Sequence, residues 1–139
     1  MFPDDLTTAA LTASLAGYNA RNTAIANNIA NAETPGYKRM DVSFEAALAD
    51  AVDADRSRLA RGEQGFTAFD GEAVTRETDE LAPNVMSVDT TVMRVDGGNV
   101  DPDDEMAKLS ANQLASQTVV SLLDKRFTQF RMAITGRCP

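Results

Sequence analysis

The sequence contains no histidine and no tryptophan, and it has a single cysteine, Cys138. Histidine is the most frequent acid–base catalyst and a common metal ligand, so its absence removes the usual route to both kinds of site. One cysteine cannot form an internal disulfide, and without partner ligands it cannot hold a metal. We therefore expect no enzymatic activity, no metal and no cofactor.

Aromatic residues are also scarce, at 6% of the 139 residues, and many of the residues in the 43% hydrophobic fraction are alanines. Alanine favours helices but buries little apolar area per residue. The composition therefore predicts long helices that need packing partners, within one structural domain, rather than one dense core.

Long apolar runs are missing too, and the first residues, MFPDD, are acidic where a secretory signal is basic. We expect neither a membrane-spanning segment nor a cleaved signal peptide.

One pattern, Asn99-x-Asp101-x-Asp103, has the opening of a calcium loop. Such a loop needs glycine where Asp104 stands and glutamate where Ser110 stands. Calcium binding is therefore not expected, and the carboxylates suit a helix start instead.

The net charge of −8 is concentrated in the middle of the chain, where residues 41–104 carry 16 acidic and 5 basic side chains. Binding to nucleic acid needs clustered lysine and arginine, and the basic residues of the C-terminal part are spread along its length. We expect no nucleic-acid partner and no small-molecule substrate.

Residues 1–40 are predicted to form a helix from about Asp5 to Asn31, followed by a turn. Bulky side chains recur at steps of four and three if Asn22 takes one place, which suits a helix packed against several neighbours. This N-terminal seam comprises Leu11, Leu15, Tyr18, Ile25 and Ile29. Pro35 ends the helix, and Pro35-Gly36 fits the centre of a type II turn, in which glycine supplies a positive φ.

Residues 41–61 predict a short amphipathic helix with Ser43 as its N-cap and Phe44, Leu48 and Val52 on its apolar face. Residues 62–100 are punctuated by glycine and are expected to be irregular, partly β or disordered. Val85 to Val95 could form a short strand or a hairpin.

Residues 101–139 predict a long helix that begins with Asp101 as N-cap and Pro102 at its first position, and that ends at Gly136. Its heptad pattern, completed by Met106, Gln113 and Ser116, is polar in the middle and bulky toward the C-terminus. This C-terminal seam comprises Leu109, Val120, Leu123, Phe127, Phe130 and Ile134.

The string NNIANAETPGYK, residues 27–38 at the end of the first helix, closely resembles the signature of the bacterial flagellar rod and hook proteins. Three further pieces share the resemblance: KRMDVSFEAAL at 38–48, DGGNVDPDDE at 96–105 and the Phe127-x-x-Phe130-x-x-x-Ile134 ending. Within the family the chain is most similar to subunits of the proximal rod. The motif residues of interest are Asn27, Asn28, Asn31, Thr34, Pro35, Gly36 and Tyr37.

The resemblance implies a structural subunit of the proximal rod of the flagellar basal body, which transmits torque across the periplasm. It further implies export through the flagellar type III apparatus without a cleaved signal. The implied partners are other copies, other rod proteins, proteins at the junction of the membrane ring with the export gate, and the export apparatus itself.

Two long helices around an irregular middle predict a mainly α fold in which the terminal helices form an antiparallel, coiled-coil-like hairpin. Each seam is wider than one partner helix can cover, so the surplus would be buried against other copies in a filament. The alternative function is that of a soluble coiled-coil adaptor or export chaperone that binds one partner helix.

Overall fold

The computed structural model of the chain describes residues 6–61, 84–87 and 97–136. In chain order the elements are α1 (Leu6–Ala30), β1 (Met40–Ser43), α2 (Glu45–Ala60), β2 (Asn84–Ser87) and α3 (Pro102–Thr135). The fold is mainly helical, and the long helices α1 and α3 pack against each other. Cys138 and most of the predicted irregular segment, residues 62–100, lie outside the described residues.

Two hydrogen bonds fix how α1 and α3 lie against each other. The Asn28 side chain, near the end of α1, donates to Glu105 at the start of α3. Seven residues further along α3, Asn112 donates to the backbone oxygen of Tyr18, in the middle of α1. This order of contacts is that of two helices running in opposite directions.

Both ends of α3 lie where the sequence predicts them. The Asp101 side chain caps the helix by accepting from the Asp103 N–H at 3.0 Å, and Pro102 occupies the first turn, where its missing N–H costs nothing. At the other end, Gly136 has φ +63° and donates its N–H to the Met132 oxygen at 2.9 Å. Only glycine adopts this left-handed conformation without strain.

The prediction of helix from residue 41 is wrong at its start, because β1 occupies Met40–Ser43 and pairs antiparallel with β2, Val42 opposite Val85. Ser43 is therefore not the N-cap. The Phe44 oxygen accepts the first helical hydrogen bond, from the Leu48 N–H at 2.9 Å. The strand is favoured here because it buries the Val42 side chain, which is 1% exposed. Its pairing with β2 is a contact between distant parts of the chain, which local sequence patterns do not predict.

The strand expected within residues 85–95 corresponds to β2, but its partner is β1 rather than a hairpin neighbour. Residues 88–96 lie outside the described part of the chain.

The apolar core lies where α1, β1 and α2 meet. Ala24, Val42 and Phe44 are buried there, and Tyr18 packs edge-on against the Phe44 ring with 5.1 Å between centroids. Met40, Ala20 and Leu48 cover the cluster from the side. Among the residues that the structure describes this core is small, in keeping with the scarcity of aromatic residues.

Gly17, in the middle of α1, is explained by this core. A β-carbon at this position would lie 2.5 Å from the Phe44 ring, closer than any real contact allows. The lost helix propensity of glycine, about 1 kcal/mol relative to alanine, is the cost of letting the ring pack directly on the α1 backbone.

We predict that Gly17→Ala lowers the thermal midpoint of the purified chain, measured by circular dichroism. Overpacking against the Phe44 ring should cost about 1–3 kcal/mol and outweigh the gain of about 1 kcal/mol in helix propensity. In a Phe44→Ala background, the same change should be stabilising. A Gly17→Ala chain as stable as its parent would contradict this packing.

Candidate functional site

The side chain of Asn28 lies at the junction of α1, β1 and α3 and is 1% exposed. Its Nδ2 donates to the Met40 oxygen at 2.7 Å and to Glu105 Oε2 at 2.9 Å. Its Oδ1 accepts from the Met40 N–H at 2.8 Å and from the Tyr37 hydroxyl at 3.2 Å. A side-chain amide has two donors and two acceptor positions, so Asn28 is fully satisfied here.

The Asn28 side chain therefore makes the pair of hydrogen bonds that the backbone of a neighbouring strand would make. By exchanging both hydrogen bonds with the backbone of Met40, it fixes the first residue of β1 against the last turn of α1. Its second donor hydrogen then reaches the first turn of α3. We call Asn28, Tyr37, Met40 and Glu105 the Asn28 clasp.

Glu105 supplies a buried carboxylate to the clasp and is 1% exposed. Its Oε1 lies 3.3 Å from Lys108 Nζ and 3.7 Å from Arg39 Nη1. Burying an unpaired carboxylate would be very costly, so these cations and the Asn28 donor are what make its position tenable. Its place in the first turn of α3, where the helix dipole is positive, adds to this stabilisation.

The turn after α1 delivers Tyr37 to the clasp. Gly36 has φ +73°, and the Tyr37 N–H donates to the Thr34 oxygen at 3.2 Å, as in a type II turn centred on Pro35 and Gly36. Burial raises the pKa of Tyr37, and the nearby Glu105 charge raises it further. The hydroxyl therefore keeps the proton that it donates to Asn28.

Asn99 makes a second connection between the two ends of the chain. It is buried, and its Oδ1 accepts from the Arg39 N–H at 2.7 Å. The Arg39 side chain pairs with Asp41 and reaches toward Glu105. The segment that leads into α3 is thus tied to the segment that leads into β1.

Arg21 joins α1 to the start of α2. Its Nε and Nη2 donate to the Val42 oxygen at 3.1 and 2.7 Å, its Nη1 lies 2.6 Å from Glu45, and its guanidinium lies over the Phe44 ring. The hydrogen bond from Arg21 lowers the pKa of Glu45. The pair therefore stabilises the fold above the unfolded-state pKa of Glu45, and this contribution is lost as the pH falls through the lowered value.

Two open clefts flank the contact between α1 and α3. The larger, about 390 Å³, lies beside the clasp and is lined by both apolar residues and charged side chains that include Arg21, Arg39, Glu105 and Lys108. The smaller, about 210 Å³, is lined only by uncharged polar residues, namely Tyr18, Asn19, Asn22, Asn112, Gln113, Ser116 and Gln117. Asn112 and Tyr18 line both clefts.

The motif residues take two positions around the turn. Asn28 and Tyr37 belong to the clasp, whereas Asn27, Thr34, Pro35 and Gly36 are exposed. Asn31 Nδ2 donates to the Asn27 oxygen at 2.9 Å, and the Thr34 hydroxyl lies 3.4 Å from Asn31 Oδ1. These local hydrogen bonds close the end of α1.

The N-terminal seam lies on the packed side of α1. Ile25 is buried, and Leu11, Leu15, Tyr18 and Ile29 are half-buried.

The C-terminal seam divides into two rows. One row is half-buried and comprises Leu109, Ser116, Leu123 and Phe130, and the other is exposed and comprises Met106, Gln113, Val120, Phe127 and Ile134. The packed face of α3 instead follows the same three-and-four spacing through Glu105, Leu109, Asn112, Ser116, Val119, Leu123, Arg126 and Phe130. The heptad period is therefore present on the packed face. Alternate positions of the predicted seam lie one residue after the positions that face α1.

Four residues that make these contacts, Glu105, Asn112, Asn99 and Arg21, were not among the predicted site residues. Polar residues at seam spacing gave the only signal, because Glu105 and Asn112 lie four residues before and three after Leu109. Within the described ranges no cluster of acidic or cysteine side chains could hold a metal ion. None of the helices in those ranges is long and apolar enough to span a membrane.

Comparison with known proteins identifies similar chains. The family model described as "Flagella basal body rod protein" matches residues 19–38, the segment that contains Asn28 and the turn. The flagellar basal body rod protein FlgB of Bacillus subtilis is 36% identical over 81% of this chain and 80% of its own length. The FlgB proteins of Cereibacter sphaeroides (34%, 84% of each chain) and Escherichia coli K12 (30%, 74% of each chain) are also similar.

The clasp predicts a strong difference between two neighbouring asparagines. Asn28→Asp removes both donors and places a second carboxylate against Glu105, so we expect a loss of about 3 kcal/mol or more in unfolding free energy. Asn27→Asp, one residue away and exposed, should cost about 0.5 kcal/mol. Urea unfolding of the two chains measures both values. Equal losses would contradict the clasp.

Proposed function

The chain belongs to the family of flagellar basal body rod protein FlgB, and on that premise we propose that it is a structural subunit of the proximal rod. In this proposal it polymerises through its terminal helices and transmits torque across the periplasm. The matches to FlgB proteins over about four-fifths of the chain support the family, and the exposed surface of α3 supports the mode of assembly.

The exposed apolar surface of α3 is the observation that carries the proposal. Large apolar side chains stand in solvent along the helix, namely Met106, Leu114, Val120, Leu122, Phe127 and Ile134, the last of them 79% exposed. The buried apolar core of the described residues comprises only Ala24, Ile25, Val42, Phe44 and Val100. Such an imbalance is typical of a chain whose apolar surface is covered by a partner.

The spacing of these side chains suits a helical partner. Met106, Gln113, Val120, Phe127 and Ile134 repeat every seven residues, so they form one row along a single face of α3. At 1.5 Å per residue the row is about 42 Å long. We call it the outer row. It lies beside the half-buried row that faces α1, so α3 can pack against α1 and a neighbouring helix together.

A filament follows when the outer row contacts a different surface on the next subunit. Such heterologous contacts do not close on themselves and generate helical assemblies. Stiffness would then come from packed helices, including the antiparallel, coiled-coil-like α1–α3 pair, and torque would pass through repeated interfaces. The partners in this proposal are other copies, other rod proteins and the proteins at the membrane-ring and export-gate junction.

The route to this location is also part of the proposal. The chain would pass unfolded through the flagellar type III export apparatus, without a cleaved signal, and fold as it joins the rod. The small apolar core of the described residues supports this, because few of their buried apolar contacts have to be broken before export.

We predict that Ile134→Asp leaves a soluble, exportable chain that fails to join the rod. Burying an isoleucine side chain contributes about 1.5–3 kcal/mol, which a carboxylate at the same place would forfeit at every subunit contact. The measurement compares secreted chain with chain in isolated basal bodies, alongside the circular dichroism of the purified chain.

Gln129→Asp is the matched control, because it adds the same charge to an exposed position of the same region, on another face of α3. This variant should assemble nearly normally. If Ile134→Asp joins the rod as well as Gln129→Asp does, the outer row is not an assembly surface. If Ile134→Asp instead unfolds the purified chain, Ile134 belongs to a monomer core and the adaptor alternative gains support.

A further inference from the structure

We propose that the uncharged cleft between α1 and α3 sets the axial register between two copies of this chain packed side by side. The exposed amides that line it are Asn19, Asn22, Gln113 and Gln117, which we call the amide band. The inference rests on the proposed assembly through the terminal helices and adds to it a residue-level device for alignment.

The amide band crosses both helices at one level. Asn19 and Asn22 come from α1 and Gln113 and Gln117 from α3, yet all four line the same cleft of about 210 Å³. On α3 the band interrupts the outer row, because Gln113 lies seven residues from Met106 and seven from Val120, both exposed apolar residues. The outer surface is therefore apolar, polar and apolar again along the helix.

Asn112, which also lines this cleft, connects the two helices. Asn112 is 6% exposed, and its Nδ2 donates to the Tyr18 backbone oxygen at 3.0 Å. Because a backbone oxygen can only accept, this contact fixes which end of the amide is the oxygen. That oxygen, Oδ1, accepts no hydrogen bond within the described residues. Asn112 thus ties α3 to α1 beside the cleft, and hydrogen bonds to a neighbouring subunit would come from the four exposed amides of the band.

The chemistry of the band favours a second copy as its occupant. Amides both donate and accept, so two identical bands are complementary to each other. The band is also uncharged, which matters in a chain of net charge −8, because copies that meet here avoid the repulsion between acidic surfaces. The α1 and α3 parts of the band lie at the same height along the helix pair. When neighbouring copies have the same orientation, the α1 amides of one copy can therefore lie against the α3 amides of the next.

Register follows from what a slip would do. Sliding one copy by a heptad, about 10.5 Å, would place amides of one copy against the apolar side chains of Met106 or Val120 in the other. The amides would lose hydrogen bonds and the apolar side chains would lose apolar contacts. A polar position within an apolar row is a known way of selecting one register at some cost in stability.

The test uses two co-expressed chains, both with Cys138→Ser, in cells without any other copy of the protein. One chain carries Asn22→Cys and the other Gln113→Cys, so a disulfide-linked dimer can form only between copies. Isolated basal bodies are oxidised and run on a non-reducing gel. In the control, Val120→Cys replaces Gln113→Cys and reports a slip of one heptad.

We expect the Asn22→Cys and Gln113→Cys pair to give a disulfide-linked dimer on the gel, and we expect no such dimer from the control pair. The inference is overturned if both chains enter the basal body without forming the dimer, or if the control pair forms it equally well. Absence of the unsubstituted chain from basal bodies would instead contradict the proposed function. If cysteine at either band position prevents incorporation, Asn19→Cys with Gln117→Cys provides the same test, with the same two outcomes.

Discussion

The side chain of Asn28 makes hydrogen bonds to the backbone of Met40, the hydroxyl of Tyr37 and the carboxylate of Glu105, and it is buried while doing so. These groups belong to β1, to the turn after α1 and to the first turn of α3. Within the described residues the buried side chains of α3 are both polar, Glu105 and Asn112, so the packing of α3 on the rest of the structure depends on polar contacts such as this one. Polar contacts, which need defined partners and distances, therefore determine how the ends of the chain meet.

The combination of buried polar contacts and exposed apolar side chains is consistent with a rod subunit. The clasp fixes one end of the α1–α3 pair through buried hydrogen bonds, while the outer row of α3 keeps large apolar side chains exposed along the rest of the helix. Apolar burial is not directional, whereas hydrogen bonds are. The internal geometry of the subunit can thus be set by polar contacts, which leaves apolar surface to contribute to assembly.

Features that depend on local chemistry were predictable from the sequence. The Pro35–Gly36 turn, the Asp101 cap and the Gly136 end of α3 each follow from the conformational preferences of one or two residues. Contacts between distant segments were not. β1 exists because it pairs with β2 some 40 residues later, and Glu105 is buried because Asn28, 77 residues earlier, donates to it. The burial of Asn112 beside the predicted α3 seam was likewise not predictable, because hydrophobic spacing ranks bulky residues above an amide.

The central claim, that Asn28 and Glu105 act together to join the two ends of the chain, is tested most directly by a double-mutant cycle. Unfolding free energies are measured by urea titration for the parent, Asn28→Ala, Glu105→Ala and the double variant. Because the two side chains are in direct contact at 2.9 Å, we predict a coupling energy of about 1–3 kcal/mol. Additive effects, with a coupling below about 0.5 kcal/mol, would contradict the claim.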